Sequence, residues 1–296
     1  MKPFSKDTKI LIVGLGVIGG SYAKALSKKG YRVRCITKDQ KDIDYARERG
    51  MIESGCTEIE EDLIRDSELI IFALYPHIFV DWIREHGDKI QKGTLITDVT
   101  GVKGQIVETV QAMLPEGVEF IAAHPMAGRE SSGVEYSDDR VFLGANFIIT
   151  PTEKNTPEAV EFCRALGEAL GFARISQLSP REHDEMIAFL SQLTHCIAVT
   201  LMTCNEAPLM EKYTGDSFRD LTRIAKINDV MWSELFLLNR DALLAQMDQF
   251  ADEFARFREM LRAGDSDGMR EVMRRATARR TLFDKPKTEC VAQKGL

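Results

Sequence analysis

Two sets of residues in this chain have the types and spacing to do chemistry. Gly14-Leu15-Gly16-Val17-Ile18-Gly19 is a G-x-G-x-x-G run. Gly14 permits a tight turn, Gly16 lets the backbone approach a pyrophosphate, and Gly19 allows a helix to pack closely on the preceding strand. Exposed N–H groups at the start of that helix, together with its dipole, would hold the phosphates of a dinucleotide, NAD or NADP. The second set begins at His124-Pro125, whose imidazole can accept a proton near neutral pH, as the oxidation of an alcohol requires. The alternative for His124 is a hydrogen-bonded residue of a packed turn.

These residues need elements to position them. Lys9–Val13, Arg32–Thr37, Leu69–Leu74, Thr94–Val99, Glu119–Ala123 and Asn146–Thr150 read as strands, and Val17–Lys29 and Gln40–Arg49 as helices between the early ones. The pattern predicts an α/β fold, a doubly wound, mostly parallel Rossmann sheet, over residues 1–178. Continuous apolar runs rather than alternation are what strands buried on both faces require. His124 then falls at the C-terminal edge of a strand, where open α/β sheets bind ligands. After a helix at Pro157–Gly171 and a short strand at Ala173–Ser176, Pro180 marks a helix start, and residues 179–296 read as an all-helical domain for substrate and dimerisation. On its first long helix Leu190, Leu193 and Ile197 form an apolar stripe, and His195 points away from it on the face of Ser191. Leu243, Met247, Phe250, Phe254, Phe257 and Leu261 form a second stripe, either a bundle core or a subunit interface.

The end of the second strand should read the adenosine ribose. Thr37 stands where an acid would favour NAD, with Lys38 beside it able to meet a 2′-phosphate, so the reading leans slightly to NADP; Asp39 would restore NAD if the turn slips by two residues. A formal charge of −7 argues against a nucleic-acid coat. Six cysteines without a C-x-x-C pair suggest neither zinc nor any other metal site, and reduced thiols in the cytoplasm are the simpler reading. The apolar run Ile10–Leu15 is too short for a signal peptide, and no stretch is expected to approach the ~20 apolar residues of a membrane span.

His124-Pro-Met-Ala-Gly with Glu130 behind it, Ser191-x-x-x-His195, and Thr222-Arg223-Ile224-Ala225 followed by Met231-Trp232 resemble the prephenate dehydrogenase family, including its arogenate-using relatives. The match runs in the family's order from Lys9 to about Arg280. The resemblance implies NAD(P)-dependent oxidative decarboxylation of prephenate to 4-hydroxyphenylpyruvate in tyrosine biosynthesis, by a homodimer joined through the helical domain. It implies that His124 takes the ring-hydroxyl proton and that Arg223 grips a substrate carboxylate, a task suited to a planar guanidinium. It also implies that His195, Ser191 and Glu130 line the substrate site. A core histidine and a solvated loop glutamate are the alternatives for His195 and Glu130.

Two departures from the family matter. Gly101 replaces the serine that many members use to orient the histidine, leaving Thr100 as the nearby hydroxyl, and Arg219 replaces a lysine one turn before Arg223. Neither a fused chorismate mutase nor a C-terminal regulatory domain is expected. An arogenate dehydrogenase, a β-hydroxyacid dehydrogenase-like reductase and a non-catalytic dinucleotide sensor are the competing functions; neither of the last two explains His124, His195 and Arg223 together.

Overall fold

The computed structural model describes residues 2–128, 131–205 and 207–284. Short apolar runs make β1 (Ile10–Val13), β2 (Val33–Ile36), β3 (Ser54–Cys56), β4 (Leu69–Phe72), β5 (Leu95–Asp98) and β6 (Glu119–Phe120). They form one parallel sheet in the order β3-β2-β1-β4-β5-β6, with Ile10 in register with both Val33 and Leu69. This is the Rossmann order, whose switch point lies between β1 and β4. Helices α1 (Val17–Lys28), α2 (Gln40–Glu48), α3 (Glu61–Arg65), α4 (Pro76–His86) and α5 (Gly104–Met113) make the crossovers. Ile10 and Ile12 enter one buried cluster and Leu11 and Val13 the other, so both faces of β1 are covered.

One expected strand divides. Glu119–Ala123 is not a single strand: β6 ends at Phe120, and β7 (Ala122–Pro125) leaves to join a second sheet with β8 (Asn146–Thr150) and β9 (Arg174–Gln177). His124 therefore sits within β7, opposite Ile148 of the antiparallel β8, not beyond the end of a parallel strand. A buried ion pair marks the departure. Asp98 Oδ1 accepts from Ala123 N at 3.1 Å, and Lys103 Nζ donates to Ala123 O at 2.7 Å. Side chains thus satisfy backbone groups that β5 no longer reaches.

Helix α6 (Pro157–Leu170) precedes β9, and a reciprocal cap then starts α7 (Pro180–Ile187). Ser179 Oγ accepts from Glu182 N at 3.2 Å, and Glu182 Oε2 accepts from Ser179 N at 2.8 Å. From α7 the chain runs through a π-helical turn, Ala188–Leu193, into α8 (Thr194–Thr203). The π-turn breaks the expected stripe at Leu190, which is 43% exposed, whereas Leu193 is buried and Ile197 half-buried; the inward face is made by His183, Asp184, Ile187, Ala188, Gln192, Leu193 and Ala198. Its wider spacing moves the inward face away from the regular i, i+3, i+7 positions. Contrary to expectation, the continuous run Pro180–Thr203 holds an 18-residue stretch of mean hydropathy 1.5 and is long and apolar enough by composition to cross a membrane. Its polar residues are nevertheless tied into the fold: Gln192 Nε2 donates to Leu235 O at 2.9 Å, and Asn239 Nδ2 donates to Asp184 O at 2.9 Å.

Helices α9 (Asp216–Thr222) and α10 (Asp229–Leu238) complete a compact unit spanning Met1–Arg240. The second unit, Asp241–Leu296, holds most of α11 (Arg240–Ala263) and all of α12 (Ser266–Thr281). On α11 Leu243 is buried and Phe257 half-buried, but Met247, Phe250, Phe254 and Leu261 are exposed, Phe254 at 66%, so most of the second stripe does not form a core in the single chain.

Candidate active site

The glycine run performs the three duties its spacing assigns. Gly14 has φ of +93°, and a Cβ there would lie 2.5 Å from Ala73 O. A Cβ on Gly19 would fall 2.0 Å from Gly14 O, so close packing of α1 on the turn demands glycine. Gly16 differs, since a Cβ there meets nothing within 4 Å and its φ of −85° is open to any residue. Nothing among the described residues requires a glycine at that position, whereas a pyrophosphate approaching the backbone would. Leu15, Val17 and Ile18 complete the turn at the C-terminal end of β1, beside the switch point. Thr37, just past β2, is buried, and its hydroxyl accepts from Leu15 N at 3.4 Å. Lys38 is exposed and Asp39 begins α2 without capping it through its side chain. The residues present fit a dinucleotide.

A continuous polar network surrounds His124. Its Nδ1 lies 2.8 Å from His183 Nε2, and His183 Nδ1 lies 2.7 Å from Asp184 Oδ1. Asp184 reaches from α7 to the start of α5, where its carboxylate accepts from Lys103 N at 2.8 Å and Gly104 N at 2.7 Å. An anion at that place also complements the helix dipole. Lys103 Nζ donates to Asp98 Oδ2 at 2.7 Å and to Thr100 Oγ1 at 3.2 Å. The Thr100 hydroxyl also contacts Asp98 Oδ2 and lies 2.9 Å from Val102 O. Thr100 therefore spends its hydroxyl inside the ion-pair cage, and the group in contact with His124 is His183.

Burial pushes the His124 imidazole well below its ordinary range, and the neighbouring His183 and Lys103 push it the same way. Burial also lowers His183, although its hydrogen bond to Asp184 opposes the change. Lys103 is lowered by burial against the raising effect of Asp98. His124 is thus neutral at neutral pH, as a proton acceptor must be.

A second cluster lies on α8. His195 Nδ1 donates to Ser191 O at 2.8 Å, and its ring lies against Trp232 with centroids 3.7 Å apart. The 3-10 turn Arg223–Ala225 packs on α8, which brings the segment bearing Arg223 to the same helix as His195. Arg219 turns elsewhere, donating to Asp216 Oδ1 at 2.7 Å and Thr214 O at 3.0 Å on its own segment. Glu130 lies outside the described residues.

His183, Asp184 and Lys103 are not among the residues expected at the site. Lys103 follows a strand end carrying Asp98, a five-residue spacing that can close a buried ion pair. His183 and Asp184 sit with Ile187 and Ala188 on the i, i+4 face of a strongly capped helix, which was the available sign that they point inward.

A model of the prephenate dehydrogenase nucleotide-binding domain matches residues 22–176, and one of the prephenate dehydrogenase dimerization domain matches residues 179–275. Prephenate dehydrogenase of Bacillus subtilis (strain 168) is 31% identical over 271 residues, covering 89% of this chain and 72% of its own length. Cyclohexadienyl dehydrogenase of Zymomonas mobilis is 27% identical over 270 residues, covering 88% and 91%. Among solved structures, prephenate dehydrogenase from A. aeolicus in complex with hydroxyphenyl propionate and NAD+ superposes with a TM-score of 0.87 at 28% identity, covering 96% of this chain and 100% of that one.

Proposed function

Because this chain belongs to the prephenate dehydrogenase family, we propose that it oxidises and decarboxylates prephenate, with His124 as the base and Arg223 as the carboxylate ligand. The observation that carries the reading is the state of His124. Its Nδ1 is engaged by His183, Nε2 has no hydrogen-bond partner among the described residues, and burial keeps the ring neutral. Nε2 takes the proton of the ring hydroxyl as hydride leaves the same carbon and the ring carboxylate departs as carbon dioxide. A nicotinamide dinucleotide, when bound, supplies the hydride acceptor. Gly14 through Gly19 would hold its pyrophosphate and the edge of β2 its ribose.

Arg223 pairs with the pyruvyl carboxylate, because tight pairing of the departing carboxylate would stabilise the ground state and oppose its loss. His195 and Ser191 stand with it at the side-chain end of the substrate. The amino-bearing analogue arogenate is the alternative substrate.

For the cofactor we propose that NADP is accepted as well as NAD, since Thr37 leaves no acid at the end of β2 and Lys38 is exposed beside it. For assembly we propose a homodimer through residues 179–296, supported by the exposed Phe250 and Phe254 on α11. A cytoplasmic location agrees with the free thiols at Cys35, Cys56, Cys163, Cys196 and Cys204.

The test is turnover of prephenate and of arogenate, each with NAD and with NADP, by the native protein and by His124→Asn. A fall in kcat of about 10²-fold or more at unchanged cofactor affinity is expected. Near-normal turnover by the variant removes His124 from the base role, and no reduction of either cofactor with either substrate overturns the function.

A further inference from the structure

We propose that His183 and Asp184 form a tautomer relay that holds the proton of His124 on Nδ1 and so keeps Nε2 bare for the substrate. The relay rests on the assignment of His124 as the base, and it makes His183 a positioning residue on a helix remote in sequence from β7.

The direction of each proton follows from the partners. The Asp184 carboxylate already accepts from two backbone N–H groups, Lys103 N and Gly104 N, which can only donate. Its contact with His183 Nδ1, at 2.7 Å, is then made by a ring N–H donating to a carboxylate oxygen. A neutral His183 with its hydrogen on Nδ1 has a lone pair at Nε2. Only a hydrogen on His124 Nδ1 can fill the 2.8 Å contact between the two rings. The opposite arrangement would require a doubly protonated His183, a buried cation beside Lys103, whose ammonium is itself wholly buried.

Among the described residues nothing else in the site does this work. Gly101 has no side chain, and the Thr100 hydroxyl is held inside the cage of Asp98, Val102 and Lys103. His183 is fully buried, so its ring is fixed by packing as well as by hydrogen bonds. Asp184 is held at the start of α5 by the two amides, and Asn239 secures its backbone carbonyl. The tautomer of the base on β7 is thereby set by the seating of α7 against α5. A relay of this form resembles the role of the aspartate in serine protease triads, where the wrong tautomer abolishes the base while the geometry survives.

The first test needs no variant of the relay. In native protein labelled with 15N in its imidazoles, ring nitrogen shifts separate protonated from bare positions, and with five histidines in the chain the His124 signals are assigned by their loss in His124→Asn. His124 should carry its hydrogen on Nδ1. A hydrogen on Nε2 of the neutral ring overturns the relay. The second test compares His183→Leu with His183→Gln. Leucine removes the acceptor, and kcat should fall by about 10-fold to 100-fold with KM for prephenate and cofactor affinity within about threefold. Glutamine places a carbonyl where Nε2 stood and should restore most of the loss. Equal kcat in the leucine variant and the native protein, or no difference between leucine and glutamine, overturns the proposal. The two readings fail separately: normal turnover by His124→Asn ends the base assignment and the relay with it, whereas a His124 ring protonated at Nε2 ends the relay alone.

Discussion

Replacing Lys103 by methionine tests the joint between the two sheets. The ammonium group is fully buried and donates to Asp98 Oδ2, Ala123 O and Thr100 Oγ1. Methionine fills much of the volume but makes none of these bonds. Asp98, also fully buried, is left as an uncompensated carboxylate, and the Ala123 carbonyl, next to His124, loses its Lys103 donor. Removing one member of a buried pair costs about 3–5 kcal/mol. Against a typical total of about 5–15 kcal/mol, such a loss brings a folded domain near its limit. The double variant Lys103→Met with Asp98→Leu removes the second charge and should regain part of the loss, since the penalty belongs to the orphaned ion rather than to the missing attraction. Urea unfolding at pH 7, followed by circular dichroism and extrapolated linearly to water, measures each quantity. A single-variant loss below about 1 kcal/mol, or a double variant no more stable than the single one, would refute the account of the pair as a structural cage. At low temperature, where the single variant stays folded, kcat should fall more than KM changes, because β7 loses its anchor one residue before the base.

Acid should weaken the fold through the histidine pair. His124 and His183 both have values lowered by folding, so the unfolded chain binds their protons first. Stability is then whole above about pH 6.5 and drains below it, by up to about 1.4 kcal/mol per pH unit for each of the two histidines. The difference in urea stability between native protein and His124→Asn at pH 7.5 and pH 5.5 reads this slope, and a native advantage that grows on acidification contradicts it. The same lowering places the acid limb of kcat/KM below pH 6.5; a limb above that value would mean that another group governs. Two glycines should separate folding from binding. Gly16→Ala should unfold like the native protein yet bind dinucleotide at least about tenfold more weakly, because its Cβ enters only the space a pyrophosphate needs. Gly19→Ala should lose stability outright, and a fully stable Gly19→Ala with intact cofactor binding would contradict the 2.0 Å contact with Gly14 O. On α11, Phe250→Glu with Phe254→Glu should give a folded monomer by light scattering, whereas a persistent dimer moves the interface elsewhere.

Much of the α/β half was legible because burial on both faces leaves a plain trace, as the apolar runs at Ile10–Val13 and Leu69–Phe72 illustrate. Ser54–Cys56 left no such trace, since a three-residue edge strand with a central glycine has neither an apolar run nor alternation. The split at Ile121 was hidden for a different reason: an apolar pattern reports that a strand is buried, not which sheet it joins. At the site, Gly14, Gly19 and His124 were readable from type and local context. His183 was not, because its meaning lies in a contact 59 positions away in the chain. The exposed Leu190 was misread for want of any sequence sign of a π-turn, since the periodicity rule takes a constant number of residues per turn.

That turn can also be seen as a regular helix carrying one residue too many. Deleting a residue within Ala188–Leu193 would let the run close into ordinary i to i−4 bonding and rotate everything after it by about 100° relative to α7. His183 would keep its place against His124 while His195 swung away from the bearing it now has on Trp232, or the reverse if the downstream end held. The surplus residue is what lets one helix serve two histidines whose bearings a regular repeat would not reconcile. Chain length at this point is therefore under tighter constraint than side-chain identity: a shortened helix of blameless composition would have to surrender one end of the site, whereas surface loops accept such changes at little cost.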